Sequence, residues 1–134
     1  MQKIKVTWDN PEQTIIRWDF SGGWSWKDFV EAHEITEWMI RPLNHYVHIM
    51  GNLNKHTILP QDMLLQYQNK LENTPPNMGL MVLVGANALV KNAIYVFTTL
   101  FGSRSPGAQL VTAESPEEAR KIIARHQTGE LPRA

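Results

Sequence analysis

The hydrophobic pattern of this chain changes several times between a period of two residues and a period near 3.6. Residues 3–8 and 13–20 alternate between apolar and polar side chains around the turn-forming segment 9–12. Two alternating strands around a short turn predict an antiparallel hairpin with one solvent-facing side. Residues 80–84 are instead continuously apolar, which is typical of a strand buried on both faces.

Four segments have the spacing of amphipathic helices, and two of them begin with strong capping signals. Ser25 precedes the first helix with Asp28 three residues on, and Ser115 precedes Pro116 at the start of the last. Both patterns are typical of a helix N-terminus. The predicted helices cover residues 25–41, 60–73, 87–102 and 116–126. Two further short strands are predicted at 45–50 and 109–112.

The predicted order of elements is β-β-α-β-α-β-α-β-α, which indicates an α/β fold. The hairpin supplies an antiparallel pair, and each later strand follows a helix, so the later strands are expected to be parallel. We therefore predict a mixed five-stranded sheet with four helices gathered mainly on the face opposite the polar side of the hairpin. Residues 1–127 are expected to form one domain, followed by a flexible tail over 128–134.

Composition narrows the function classes. The 134 residues include no cysteine, which excludes disulfides, thiol catalysis and cysteine-ligated metals. Thirteen basic and thirteen acidic side chains balance, so no nucleic-acid partner and no polybasic membrane contact are expected. The first eight residues lack the apolar core of a signal peptide, and no run is long enough for a membrane span. These observations predict a cytoplasmic protein.

Three stretches resemble the STAS domain, in particular its SpoIIAA-like branch. They are the hairpin with the following Gly-Gly-Trp-Ser-Trp-Lys-Asp-Phe at 22–29, the Pro-Asn-Met-Gly-Leu-Met-Val-Leu-Val-Gly at 76–85, and the ending at 111–119. The resemblance covers nearly the whole chain. It implies a non-enzymatic regulatory module that binds partner proteins in bacterial signalling, in a family where some members bind nucleotides or lipids.

One loop departs from that family. Antagonist members carry a phosphorylated serine before the second helix, whereas residues 51–59 here contain no serine and no acidic side chain, and Thr57 has the only hydroxyl. No phosphorylation switch is therefore expected. Ligands of open α/β sheets bind at the carboxyl ends of strands. The polar residues in those loops, Asn52, Asn54, Thr57 and Asn87, are therefore candidate contacts for a ligand or partner.

No catalytic residue, metal ligand or cofactor is predicted. The five histidines show no HxH or HExxH spacing and are expected to be surface or half-buried residues. The serines lie at turns and caps rather than in a G-x-S-x-G elbow. The glycine in Val-Gly-Ala-Asn at 84–87 either forms a plain turn, which we favour, or helps a helix N-terminus to hold an anion.

Tryptophan is abundant near the first helix. Trp26 and Trp38 lie off its apolar stripe, and Trp24 directly precedes it. Two interpretations remain open at this point. The three indoles either pack locally over the sheet edge or anchor a partner, since tryptophan is enriched at binding hot spots.

The helix predicted over 87–102 has an apolar face wider than a sheet requires. One row contains Val90, Ile94, Phe97 and Phe101, and a second contains Leu89, Ala93, Val96 and Leu100, with Tyr95 beside it. Either a symmetric dimer or another helix of the same chain must cover the second row. We predict a protein-interaction module, with a small hydrophobic ligand or lipid-binding domain as the alternative. An exposed patch favours the first and an enclosed cavity the second.

Overall fold

A computed structural model describes residues 3–54, 57–59, 63, 66, 75–101 and 110–127. Within these residues the chain forms one five-stranded sheet and three helices. The strands are β1 (Ile4–Trp8), β2 (Ile15–Phe20), β3 (Val47–Asn52), β4 (Met78–Val84) and β5 (Leu110–Ala113). The helices are α1 (Trp26–Ile40), α2 (Ala88–Phe101) and α3 (Pro116–Gln127).

The sheet is mixed, as the sequence predicts. Its strand order is β1-β2-β3-β4-β5; β1 and β2 pair antiparallel with Val6 opposite Trp18, and every later pair is parallel. The α/β class and the mixed five-stranded sheet are therefore confirmed. The helix predicted over 60–73 lies, apart from Met63 and Gln66, outside the described residues, as does the tail predicted over 128–134.

The third strand begins two residues later than predicted, at Val47. The reason is a side chain that holds the preceding turn together. The Nδ2 group of Asn77 donates hydrogen bonds to the carbonyls of Ile40, Leu43 and His45 at 2.9, 3.2 and 3.3 Å. These carbonyls are satisfied by an amide rather than by a neighbouring strand, so the turn between α1 and β3 extends through His45.

The larger core lies on the face of the sheet covered by α1 and α2. Trp18 is fully buried there, edge-on to Phe29 of α1 with ring centroids 5.2 Å apart. Its indole N–H donates to the hydroxyl of Thr36 at 2.9 Å, so the buried polar atom of the tryptophan is satisfied. The predicted capping box begins α1, because the Asp28 carboxylate accepts from the Ser25 amide and the Ser25 hydroxyl accepts from the Asp28 amide.

Helix α3 packs on the opposite face and is the exception to the expected gathering of helices mainly on one face. Ala119 and Ile123 of α3 form a second core with side chains of β3, β4 and β5. Those strand residues are Met50, Leu80, Val82, Val84 and Ala113, together with Ile15 of β2. A strand that is buried on both faces needs a helix on each side of the sheet. Helix α3 covers β3, β4 and β5 on the face that also carries the polar side of the hairpin.

A β-bulge lies where β3 meets β4. Val47 pairs with Met78 and Ile49 with Met81, so two residues of β4 oppose His48 alone. The imidazole of His48 fills the irregularity, because its Nδ1 accepts a hydrogen bond from the Leu80 amide at 2.9 Å. The ring lies over Gly79, where a Cβ would come within 2.3 Å of Nδ1.

The expectation of surface or half-buried histidines is wrong for His33, His48 and His126, which are all buried. Each has an identifiable neighbour in the core. The Nδ1 of His33 is 2.8 Å from the Glu37 carboxylate, and the His126 ring lies edge-on to that of His48 at 5.4 Å. These residues therefore serve the core rather than the surface.

An ion pair joins α3 to the hairpin turn, and we predict that it stabilises the fold. Arg120 donates to both carboxylate oxygens of Asp9 at 3.0 and 2.9 Å, which lowers the pKa of Asp9. A lowered carboxyl pKa contributes stability above its ordinary value of about 3.9, and that stability is lost as the pH falls through the folded value. Asp9→Asn should reduce the free energy of unfolding at neutral pH by about 1 kcal/mol.

Urea unfolding at several pH values measures this effect. The difference between Asp9→Asn and the unmodified chain should shrink below pH ~4 as Asp9 itself becomes protonated. Lys121→Gln, which removes a charge from an exposed position of the same helix, is the control and should change little. An equal loss in both variants would contradict a specific Asp9–Arg120 contact.

Gly79 provides a second test, because the buried His48 ring leaves no room for a side chain. Gly79→Ala should destabilise the protein by about 1–3 kcal/mol, the usual cost of overpacking a core. Gly22→Ala is the matched control, since nothing lies within 4 Å of a Cβ there. In a His48→Ala background the cost of Gly79→Ala should fall. Unchanged cost in that background, measured by thermal unfolding, would mean that the ring is not the obstacle.

Candidate functional site

The carboxyl ends of β2, β3, β4 and β5 lie at one edge of the sheet, which we call the carboxyl edge. The loops that follow these strands contain the predicted contacts Asn54, Thr57 and Asn87. Predicted contact Asn52 is the last residue of β3. The structure therefore brings these polar residues to the same end of the molecule, as expected for strands that run parallel.

Asn87 joins two of these loops. Its Oδ1 accepts from the Val90 amide at 2.9 Å, and its Nδ2 donates to the carbonyl of Thr57 at 2.9 Å. The first bond caps the N-terminus of α2, and the second ties that terminus to the loop after β3. Thr57 is buried, with 8% exposure, and its amide donates to Asn54. Asn87 and Thr57 thus hold the edge together rather than face solvent.

Gly85 acts as a turn residue at this edge. Its φ of +76° is in the left-handed region, which glycine adopts without steric cost. Its amide donates to the Ala113 carbonyl at 3.0 Å, and a Cβ would lie 3.2 Å from the Leu53 carbonyl oxygen. The amide of Gly85 is therefore used within the fold, which favours the plain-turn interpretation over an anion cradle.

The side chain of Asn52 faces the neighbouring strand β2 rather than the loops of the carboxyl edge. Its Nδ2 donates to Asp19 of the neighbouring strand at 3.0 Å. The Nε of Arg17 contacts both oxygens of that carboxylate at 3.0 Å. This small polar network lies on the α3 side of the sheet, next to the area that α3 covers. Sequence reasoning missed Arg17 and Asp19, although their alternation with buried residues places them on one face.

The three tryptophans do not form one cluster. Trp24 is buried against Phe20 with ring centroids 4.9 Å apart, and Trp26 stacks on Phe29 at 5.3 Å. Local packing, the first of the two interpretations, is therefore confirmed for this pair. Trp38 lies twelve residues further along α1, about 18 Å away, and is 78% exposed.

The most exposed residues of α2 carry no charge. Val90, Ile94 and Phe97 are buried as predicted, whereas Leu89 and Tyr95 are 69% exposed and Val96 is 48% exposed. The residues of α2 that the structure shows as exposed are Ala88, Leu89, Asn92, Tyr95, Val96 and Thr99. The one charged residue in the helix sequence, Lys91, pairs with Glu114. Leu89 and Val96 of the second row are therefore exposed, whereas Ala93 is half-buried, and the helix predicted over 60–73 lies, apart from Met63 and Gln66, outside the described residues.

An apolar crevice lies inside the larger core, and it holds little free space. Ten apolar side chains line it, among them Phe20, Trp24, Met63 and Ile94. The free space is about 10 Å³, which is about what one water molecule needs. A lipid chain does not fit this space, so the crevice does not favour the ligand-binding alternative.

Comparison with known proteins gives no relative. No family model, no curated protein and no solved structure matches the chain. In the part of the chain that the structure describes, no three histidine, aspartate or glutamate side chains are grouped so that they could hold a metal ion. None of the described helices has the length and apolarity that crossing a bilayer requires.

Substitutions at Asn87 should separate its two roles. Asn87→Ala removes both the cap of α2 and the bond to Thr57, and should cost about 1–2 kcal/mol of stability. Asn87→Ser retains a good capping oxygen but cannot reach Thr57 with an N–H donor, so it should cost less than alanine but more than nothing. Chemical unfolding of the three proteins measures this order. A serine variant as unstable as the alanine variant would contradict a capping role.

Proposed function

We propose that this chain is a non-catalytic regulatory or protein-interaction module of the SpoIIAA-like kind. The observation that supports this function best is the uncharged, partly apolar surface of α2, which we call the α2 face. It comprises the exposed residues Ala88, Leu89, Asn92, Tyr95, Val96 and Thr99. Apolar surface of this kind on a protein marks an interaction site more often than a solvated face.

The α2 face suits a second copy of the same chain. In a two-fold dimer one patch serves both subunits, and any charge near the axis meets its own copy. Like charges brought together in this way oppose association, and the α2 face has none. Covering Leu89, Tyr95 and Val96 would recover about 25 cal/mol for each Å² of apolar surface removed from water.

The carboxyl edge supports the proposal in a different way. Asn87 links this edge directly to the start of α2, so the α2 face is tied by hydrogen bonds to the loop after β3. The loop after β3 offers no exposed serine, and its threonine is buried. We therefore propose that regulation by this module acts through association and not through phosphorylation of that loop.

Sedimentation equilibrium tests the proposal. We expect the protein to self-associate at micromolar concentration, and Val96→Glu to make it monomeric by placing a charge, repeated by the two-fold axis, in the interface. Ala124→Glu, on the exposed side of α3, is the matched control and should leave association unchanged. Circular dichroism must show that both variants stay folded. A monomeric starting protein, or a dimer indifferent to Val96→Glu, would contradict the α2 face as the interface.

A further inference from the structure

The edge of the sheet opposite the carboxyl edge carries two open grooves. We call it the amino edge, because β2, β3 and β4 begin there and the antiparallel β1 ends there. The first groove, the tryptophan groove, has a volume of about 650 Å³ and is lined by Trp8, Trp38 and Pro42 among others. It contains the most exposed large hydrophobic side chain of the described residues, Trp38.

The second groove, the tyrosine groove, has a volume of about 410 Å³ and is lined by Tyr46, Pro75 and Pro76 among others. Arg41 and Leu43 line both grooves, so the two adjoin. Each volume falls in the range of about 300–1,000 Å³ typical of ligand sites. Both are open at the surface, so a chain that lies along them can leave at either end.

Arg41 lies where the two grooves meet, and a hydrogen bond to Glu37 holds its side chain. Its Nη2 donates to the Glu37 carboxylate at 3.2 Å, and the other oxygen of Glu37 lies 2.8 Å from His33. A guanidinium has five N–H donors, and this is its one side-chain hydrogen bond within the described residues. The Arg41 side chain is 61% exposed while that of Glu37 is 12% exposed. Its remaining donors are therefore available to a ligand.

The charges that line the grooves favour an acidic ligand. Neither lining includes an aspartate or a glutamate, and the ionisable groups present are Arg41, His45 and Tyr46. A planar guanidinium can bind a carboxylate through two parallel hydrogen bonds, and the bond to Glu37 already restricts the Arg41 side chain. The one carboxylate that Arg41 contacts, that of Glu37, is 12% exposed, so Arg41 presents most of the charge that a ligand meets at the junction.

We propose that the two grooves together bind an extended segment of a partner protein, in which an aspartate or glutamate separates two apolar side chains. The carboxylate contacts Arg41, one apolar side chain packs on Trp38, and the other packs beside Tyr46. An extended chain advances about 3.3 Å per residue, so a few residues on either side of the acid reach both grooves. This surface is separate from the α2 face, and its occupant does not depend on the dimer.

Peptide display on the full chain tests the inference. A library of random twelve-residue peptides is selected on the immobilised protein, and the enriched peptides are measured by fluorescence anisotropy. We expect enrichment of one Asp or Glu with apolar residues on both sides. Arg41→Gln should weaken the best peptide by about tenfold or more, since charge-assisted hydrogen bonds contribute about 1.5–3 kcal/mol. Trp38→Ala should weaken it similarly.

Lys27→Gln is the matched control, because Lys27 is an exposed cation at the far end of the same helix. It should leave peptide affinity unchanged, and thermal unfolding should show that all three variants are folded. Selection of basic or purely apolar peptides, or equal affinity in Arg41→Gln and Lys27→Gln, would overturn the proposal. A change in sedimentation caused by Trp38→Ala would identify a second copy as the occupant and overturn it too. Val96→Glu should retain peptide binding, which separates this proposal from the dimer.

Discussion

Burial of the central strands on both faces is the constraint on which the rest of the structure depends. All seven residues of β4 are buried, and so are the first five of β3. Neither strand can tolerate solvent on either side, so helices must lie above and below them. Helices α1 and α2 cover one face and α3 covers the other. The hairpin strand β2 has buried and polar faces, so its polar side needs no helix.

Local signals made much of this architecture predictable. Ser25 and Asp28 form the capping box that their spacing indicates, and the alternation in the hairpin matches the observed pairing of Val6 with Trp18. The face chosen by α3 was not predictable, because helical periodicity shows which side of a helix is apolar but not which side of the sheet it meets. The bulge at His48 depends on a contact between distant segments, so no local sequence pattern predicts it.

The candidate contacts were predictable in position but not in role. Parallel topology places Asn54, Thr57 and Asn87 at one edge, yet composition alone does not reveal that Asn87 bonds to both α2 and Thr57. The tryptophans show the same limit. Trp26 and Trp38 both lie off the apolar stripe of α1, but Phe29 stacks on the first, whereas the second is 78% exposed. Tertiary neighbours decide whether such a residue serves the core or a partner.

The two edges of the sheet therefore differ in what they can offer a ligand. At the carboxyl edge the side-chain amide of Asn87 donates to the Thr57 carbonyl and the Gly85 amide donates to the Ala113 carbonyl, so a ligand there would have to replace hydrogen bonds that already exist. At the amino edge Trp38 is exposed and Arg41 retains donors that the described residues leave unfilled. Binding gains most where apolar surface and charged donors still face water. Helix α1 connects these edges, since its first turn packs in the core through Phe29 and its far end carries Trp38, with Arg41 directly after it. A rigid helix that presents such a pair limits the entropy lost when a partner binds.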